Sequence, residues 1–133
     1  MAIQSEVRQF VELIHAKQKK LEGYNGNLFI KNDTTLIIKI SRTDKVFYGV
    51  NGNIIDSLIY SMQEKNIYFG IVLLDNKQRG YFYPGNIIFN KIQKNIWRKA
   101  NDGDYKINPP LRDALYFKSH KEFEKIFKIC SNV

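Results

Sequence analysis

The chain has 133 residues, 44% of them hydrophobic and 14% aromatic, and carries a formal net charge of +8 at pH 7. That is about one domain's length, with enough apolar material for a packed core, so a disordered arm is excluded. The basic balance points to nucleic acid, anionic lipid or an acidic protein as partner, and the lone cysteine, Cys130, excludes an intramolecular disulfide.

In chain order, Ile3, Val7, Phe10, Val11, Ile14 and Leu21 recur at helical spacing and predict a helix over residues 3–22, with Gly23 as its stop. The opening MAIQSEVRQF lacks a basic-then-apolar leader pattern, so a cytoplasmic, intracellular location is expected. Three short β-runs follow: 27–31, 34–41 and 45–50. Turn chemistry separates them at Asn32-Asp33 and at Thr43-Asp44, which predicts an antiparallel meander. In the second run Leu36, Ile38 and Ile40 point one way, and Thr35, Ile37, Lys39 and Ser41 the other. Asn53 is the expected N-cap of a helix over 54–65, with Ile54, Ile55, Leu58, Ile59 and Met62 as its buried stripe.

Residues 67–74 (IYFGIVLL) form a continuous apolar run of strand length, the pattern of a strand covered on both faces. Gly80 to Tyr83 returns as a strand, and Pro84-Gly85 ends it. Residues 86–92 fit a strand or a short helix, and 101–104 (NDGD) a loop. The last element is a helix over about 119–130, opened by the capping box Ser119–Glu122 with Phe123, Ile126 and Phe127 inward. No run approaches a membrane span, so no membrane partner is expected. The expectation is a single α/β domain over 1–133. Its core, α-β-β-β-α-β, occupies about 3–84 and builds a mixed sheet flanked by helices. A β-return and a C-terminal helix complete it.

The order α-β-β-β-α-β resembles the restriction-endonuclease-like superfamily, the PD-(D/E)XK nucleases. The stretch NLFIKNDTTLIIKIS (27–41) resembles that family's hairpin in length and hydrophobic rhythm. The resemblance covers roughly residues 3–74. It implies a DNA-cleaving site with one acid on the first strand and an acid-x-lysine on the second. Aligned by rhythm, Asn27 stands at the first acid, Lys39 at the second and Ser41 at the lysine. Amide, ammonium and hydroxyl cannot replace carboxylates around Mg²⁺, so a degenerate site that binds without cutting is expected, with no cofactor. The alternative is a Mg²⁺-dependent nuclease built on Asp33 and Asp44, with Lys31 or Lys45 as the base.

The densest functional signal lies at 76–101. It holds six Lys/Arg (Lys77, Arg79, Lys91, Lys94, Arg98, Lys99), no acid, and five aromatics. Cations neutralise phosphates, and flat rings stack on bases. The expected nucleic-acid contacts are those six together with Tyr81, Tyr83 and Trp97, joined by Lys39 and Arg42 at the meander's second turn. A solvated basic face around core aromatics explains the same pattern, and a single Trp is more often core than platform. DNA ranks ahead of RNA as partner. A protein-interaction subunit with an acidic partner, or a homodimer, is the alternative. His15 and His120 sit in no ligand-spaced cluster, and no zinc signature is present.

Overall fold

The computed structural model describes residues 3–21, 24, 27–40, 48–107 and 110–131. One mixed sheet organises them. Its six strands run in the order β1-β2-β3-β5-β6-β8, where β1 is Lys17–Lys19, β2 Leu28–Lys31, β3 Thr34–Ile40, β5 Phe69–Leu74, β6 Gly80–Pro84 and β8 Leu115–Phe117. Only β3 and β5 pair in parallel; every other neighbour is antiparallel. Two strands, β4 (Tyr48–Asn51) and β7 (Asp104–Ile107), form a separate antiparallel ribbon. The helices are α1 (Ser5–Leu13), α2 (Gly52–Lys65), α3 (Gly85–Gln93) and α4 (His120–Ser131). The expected α/β class with a mixed sheet is therefore the observed one.

Each face of the sheet has its own core. α1 and α4 cover one face, where Phe10, Phe82, Phe117, Phe123 and Phe127 pack ring against ring over Leu36, Ile38 and Val72. α2, α3 and the β4–β7 ribbon cover the other, over Leu28, Ile37, Ile71, Leu73 and Tyr83. The alternation expected in β3 is borne out: Leu36 and Ile38 belong to the first core and Ile37 to the second. β5 is buried along its whole length, as its unbroken apolar run requires.

Three expectations are corrected. The first helix ends at Leu13, well before Gly23. His15 takes a left-handed φ of 57°. The His15 N–H then bonds Glu12 O and the Ala16 N–H bonds Val11 O, closing the helix as a Schellman cap. Lys17–Lys19 is thereby freed to pair with β2 as an edge strand. The third β-run does not extend a meander: β4 leaves the sheet and finds β7 instead. Residues 86–92 resolve as helix within α3, which Asn95 closes in the same left-handed way, its N–H bonding Ile92 O. In α2 the N-cap is Asn51, whose side chain accepts the Ile54 N–H at 3.0 Å, not Asn53. At α4 the capping box forms as expected: the Glu122 N–H bonds Ser119 Oγ, and Glu122 accepts the Lys118 N–H.

The β2–β3 hairpin is the tightest possible. Lys31 pairs with Thr34 across a two-residue loop, Asn32-Asp33, with φ values of 48° and 66°. Two positive φ angles make a type I′ turn, which Asn and Asp tolerate and which suits the twist of the strands. No described helix is long and apolar enough to cross a membrane.

Candidate nucleic-acid interface

The carboxyl ends of the parallel pair β3 and β5 collect several of the expected contact residues. Lys39 of β3 stands beside Leu73 of β5, Leu73 beside Tyr81 of β6, and Tyr81 beside Tyr116 of β8. Cross-strand partners share a face, so these four form one row. The Tyr81 and Tyr116 rings lie 5.2 Å apart at a 50° tilt, and Tyr116 is 46% exposed. Lys39 is half-buried and has no carboxylate partner among the described residues. Tyr48 backs the row from β4, its hydroxyl donating to the Leu74 carbonyl at 3.5 Å. Burial first, then the nearby Asp75 and Tyr81, push the Tyr48 phenol up to about 12.

The β5–β6 turn is stiffened by Asp75. Its Oδ1 accepts the backbone N–H groups of Lys77 (2.8 Å) and Arg79 (3.0 Å), and its Oδ2 accepts the Arg79 Nε–H at 2.9 Å. Burial alone would raise the Asp75 carboxyl; these donors and the guanidinium charge outweigh it and hold it below its usual value. Arg79 is thus oriented at the end of the row, with nitrogens other than Nε left for an oxyanion. Lys77 is exposed on the same turn.

The rest of the basic segment is dispersed. Lys91 is only 6% exposed, and its Nζ bonds the Asp113 carboxylate at 3.1 Å. Lys99 is paired with Asp56, which also accepts the Tyr105 hydroxyl at 2.9 Å. Arg98 donates from Nε to the carbonyl of Asn95 at 3.0 Å, and Lys94 is exposed at the end of α3. Two aromatics are removed from the candidate surface. Trp97 is 6% exposed and packs edge-on against Tyr83, with centroids 5.0 Å apart. Tyr83 is 1% exposed, and its hydroxyl donates to the Arg112 carbonyl. Neither ring offers a face to a base. A segment free of acids in sequence is not free of them in space: Asp113 and Asp56 come from elsewhere to meet Lys91 and Lys99, and Asp75, just before the segment, meets Arg79 within the turn.

The residues of the nuclease alternative are also separated. Arg42, Asp44 and Lys45 lie outside the described residues. Asp33 sits in the turn at the opposite end of β3, about 20 Å from Ile40 at strand rise. Lys31 is unavailable as a base: at 7% exposure its ammonium bonds the Ile14 carbonyl (2.6 Å) and the Glu124 carboxylate (2.8 Å) beneath the Phe127 ring. Asn27 accepts a hydrogen bond from Gln18 at 2.8 Å. The ladder sets Leu28 opposite Ile37, so one step further Asn27 faces Ile38, and Lys39 belongs to the other face. Among the described residues no three His, Cys, Asp or Glu side chains converge as a metal site.

Sequence reasoning passed over Tyr116 and the lysines of α4. Lys121, Lys125 and Lys128 are exposed, on the side of α4 away from Phe123 and Phe127. Their i, i+4, i+7 spacing was readable, whereas Tyr116 lies on a three-residue strand too short to announce itself.

No protein-family model matches the chain, and no curated protein matches it in sequence. In fold it is similar to Hjc, a Holliday junction resolvase from the archaeal hyperthermophile Archaeoglobus fulgidus. The two are 12% identical, the match covers 95% of this chain and 92% of that chain, and the TM-score is 0.48. The likeness is one of fold, and the reading of the site rests on the geometry above.

Proposed function

We propose that the protein binds nucleic acid without cutting it, DNA ahead of RNA, through the surface at the carboxyl ends of β3 and β5. The observation that carries this reading is that Lys39, Tyr81 and Tyr116 share one face across β3, β6 and β8, around the buried Leu73, with Arg79 held in the β5–β6 turn by Asp75. Lys39, Lys77 and Arg79 supply phosphate contacts, and the exposed Tyr116, backed by the half-buried Tyr81, supplies a stacking face. Binding is favoured over cleavage because the candidate acid Asp33 stands at the far end of β3 from this surface and the candidate base Lys31 is buried in an ion pair with Glu124.

Fluorescence titration against short single- and double-stranded DNA and RNA tests it. The expected dissociation constant is on the order of 10⁻⁴–10⁻⁶ M near physiological salt. Three phosphate contacts predict a log–log salt slope of about −2 to −3, reduced by about one in Lys39→Ala or Arg79→Ala. Absent binding, or binding indifferent to salt, overturns the reading. Capture of an acidic protein in place of nucleic acid overturns it in favour of an interaction subunit.

A further inference from the structure

A second site lies at the other end of the sheet. The hairpin turn, the C-terminal part of α2, the start of β5, the β6–α3 junction and the end of α4 enclose a cavity of about 340 Å³. This is near the lower end for small-molecule sites, about 300–1,000 Å³, and gives room for one planar bicyclic ring with a small substituent. Its aromatic walls include Tyr68, 57% exposed at the mouth, and the buried Phe127. Its polar side chains are the amides of Asn32 and Asn86, the hydroxyl of Thr34 and a single carboxylate, Asp33. Among the described residues no Lys or Arg lines it. The type I′ turn places Asn32 and Asp33 there, and both are exposed. Close packing shapes the wall at Gly85, where a Cβ would come within 2.9 Å of Met62 Sδ and of the Phe69 ring.

That chemistry selects a ligand class. An ionised carboxylate only accepts hydrogen bonds, and its two oxygens match a pair of adjacent N–H donors. With no cation in the lining, a phosphate or carboxylate group finds no partner inside. Among nucleobases only guanine presents two neighbouring donors, N1–H and the 2-amino group, on its pairing edge; adenine, cytosine and uracil each present a single donor group there, beside acceptors. Aromatic walls stack on the ring, and amides meet its acceptors. We propose that this cavity binds a guanine base, with Asp33 reading the N1–H/2-amino edge and Tyr68 stacking on the ring. The base is supplied by a free nucleoside or by an unpaired strand. The site is distinct from the surface at the carboxyl ends of β3 and β5 and does not depend on it.

Cys130 provides the test, because it lines the cavity and is the chain's single cysteine. The rate of its alkylation by a maleimide at mildly alkaline pH is measured with guanosine, adenosine, cytidine, uridine, or a short guanine-containing single strand. By mass action guanosine slows labelling about tenfold at ten times its dissociation constant, and the other nucleosides far less. Asp33→Asn, which keeps a residue suited to the turn, abolishes the protection, read as the ratio of that variant's own labelling rates with and without guanosine, while leaving the circular dichroism unchanged. Tyr68→Ala, at an exposed position, weakens the protection independently. Protection by the oligonucleotide as well as the nucleoside identifies a strand as a source, and protection by the nucleoside alone identifies the free base; both support the site. No protection by guanosine at concentrations on the order of millimolar, or protection that ignores base identity or survives Asp33→Asn, overturns it. Either result leaves the salt-dependent binding at the other end of the sheet to stand or fall separately.

Discussion

At the residue scale, the roles of the aromatics divide by burial. Trp97 and Tyr83 form an edge-on pair inside the α2/α3 core, while the half-buried Tyr81 pairs with the exposed Tyr116 at the core's edge. Trp97→Ala should therefore cost about 3–5 kcal/mol of stability and leave the affinity of the folded fraction for nucleic acid unchanged. Tyr81→Ala should do the reverse, lowering affinity by about 1–3 kcal/mol per stacked base lost with a smaller loss of stability. Urea unfolding and titration on the same preparations check both. Asp75 makes a pH prediction. Its folded carboxyl is held low by its hydrogen bonds, so its stabilisation is present above the unfolded carboxylate value, about 3.9, and is lost as pH falls through the lower folded value. The difference in melting temperature between the native chain and Asp75→Asn should hold from neutral pH down to about 5 and close below about 4. The sequence alone could not assign Trp97: its neighbours Arg98 and Lys99 are exposed, and only the tertiary position of Tyr83 shows which way the indole points.

At the element scale, helix ends and strand partners were the parts least legible in sequence. The apolar spacing of the first helix runs on to Leu21, yet the chain turns at His15 and Leu21 packs against the opposite core. Leu21 fits the helical period by coincidence of spacing, because a sequence pattern records which residues seek burial and not which core receives them. The left-handed His15 carries strain that glycine lacks. His15→Gly should raise stability by about 1 kcal/mol, read as a higher urea midpoint at unchanged slope. The departure of β4 from the sheet was equally invisible. Its residues 48–51 alternate as a strand whether they pair with β3 or with β7, and the pairing is decided by β5, which occupies the edge of β3 in parallel register. The pattern in β3, the buried run in β5 and the capping box of α4 were legible because each is set by neighbours within a few residues.

At the scale of the whole molecule, three tyrosines bind the layers together and set an alkaline limit. Tyr48, Tyr83 and Tyr105 are each pushed up to about 12, first by burial and then by Asp75 and Tyr81, by Asp113 and Tyr81, and by Asp56 respectively. A phenol raised in the folded state keeps its contribution below the unfolded value, about 10, and loses it as pH climbs through the folded one. The protein should lose stability above about pH 10, and phenolate absorbance should show these tyrosines ionising late and together with unfolding. Tyr48→Phe, which removes only a weak 3.5 Å bond, should lessen the alkaline loss. By itself the sequence determined the α/β class, the element order from β2 to β6, the two faces of β3 and the excess of positive charge, since these follow from local periodicity and composition. Tertiary structure decided where that charge is spent. It brought Asp56 and Asp113 to two of the six cations of the basic segment, buried Trp97 and Tyr83, and aligned Lys39 with Tyr81 and Tyr116. The physical reason is that a salt bridge, a buried ring and a cross-strand row all depend on residues distant in the chain, and no periodicity encodes which of them will meet.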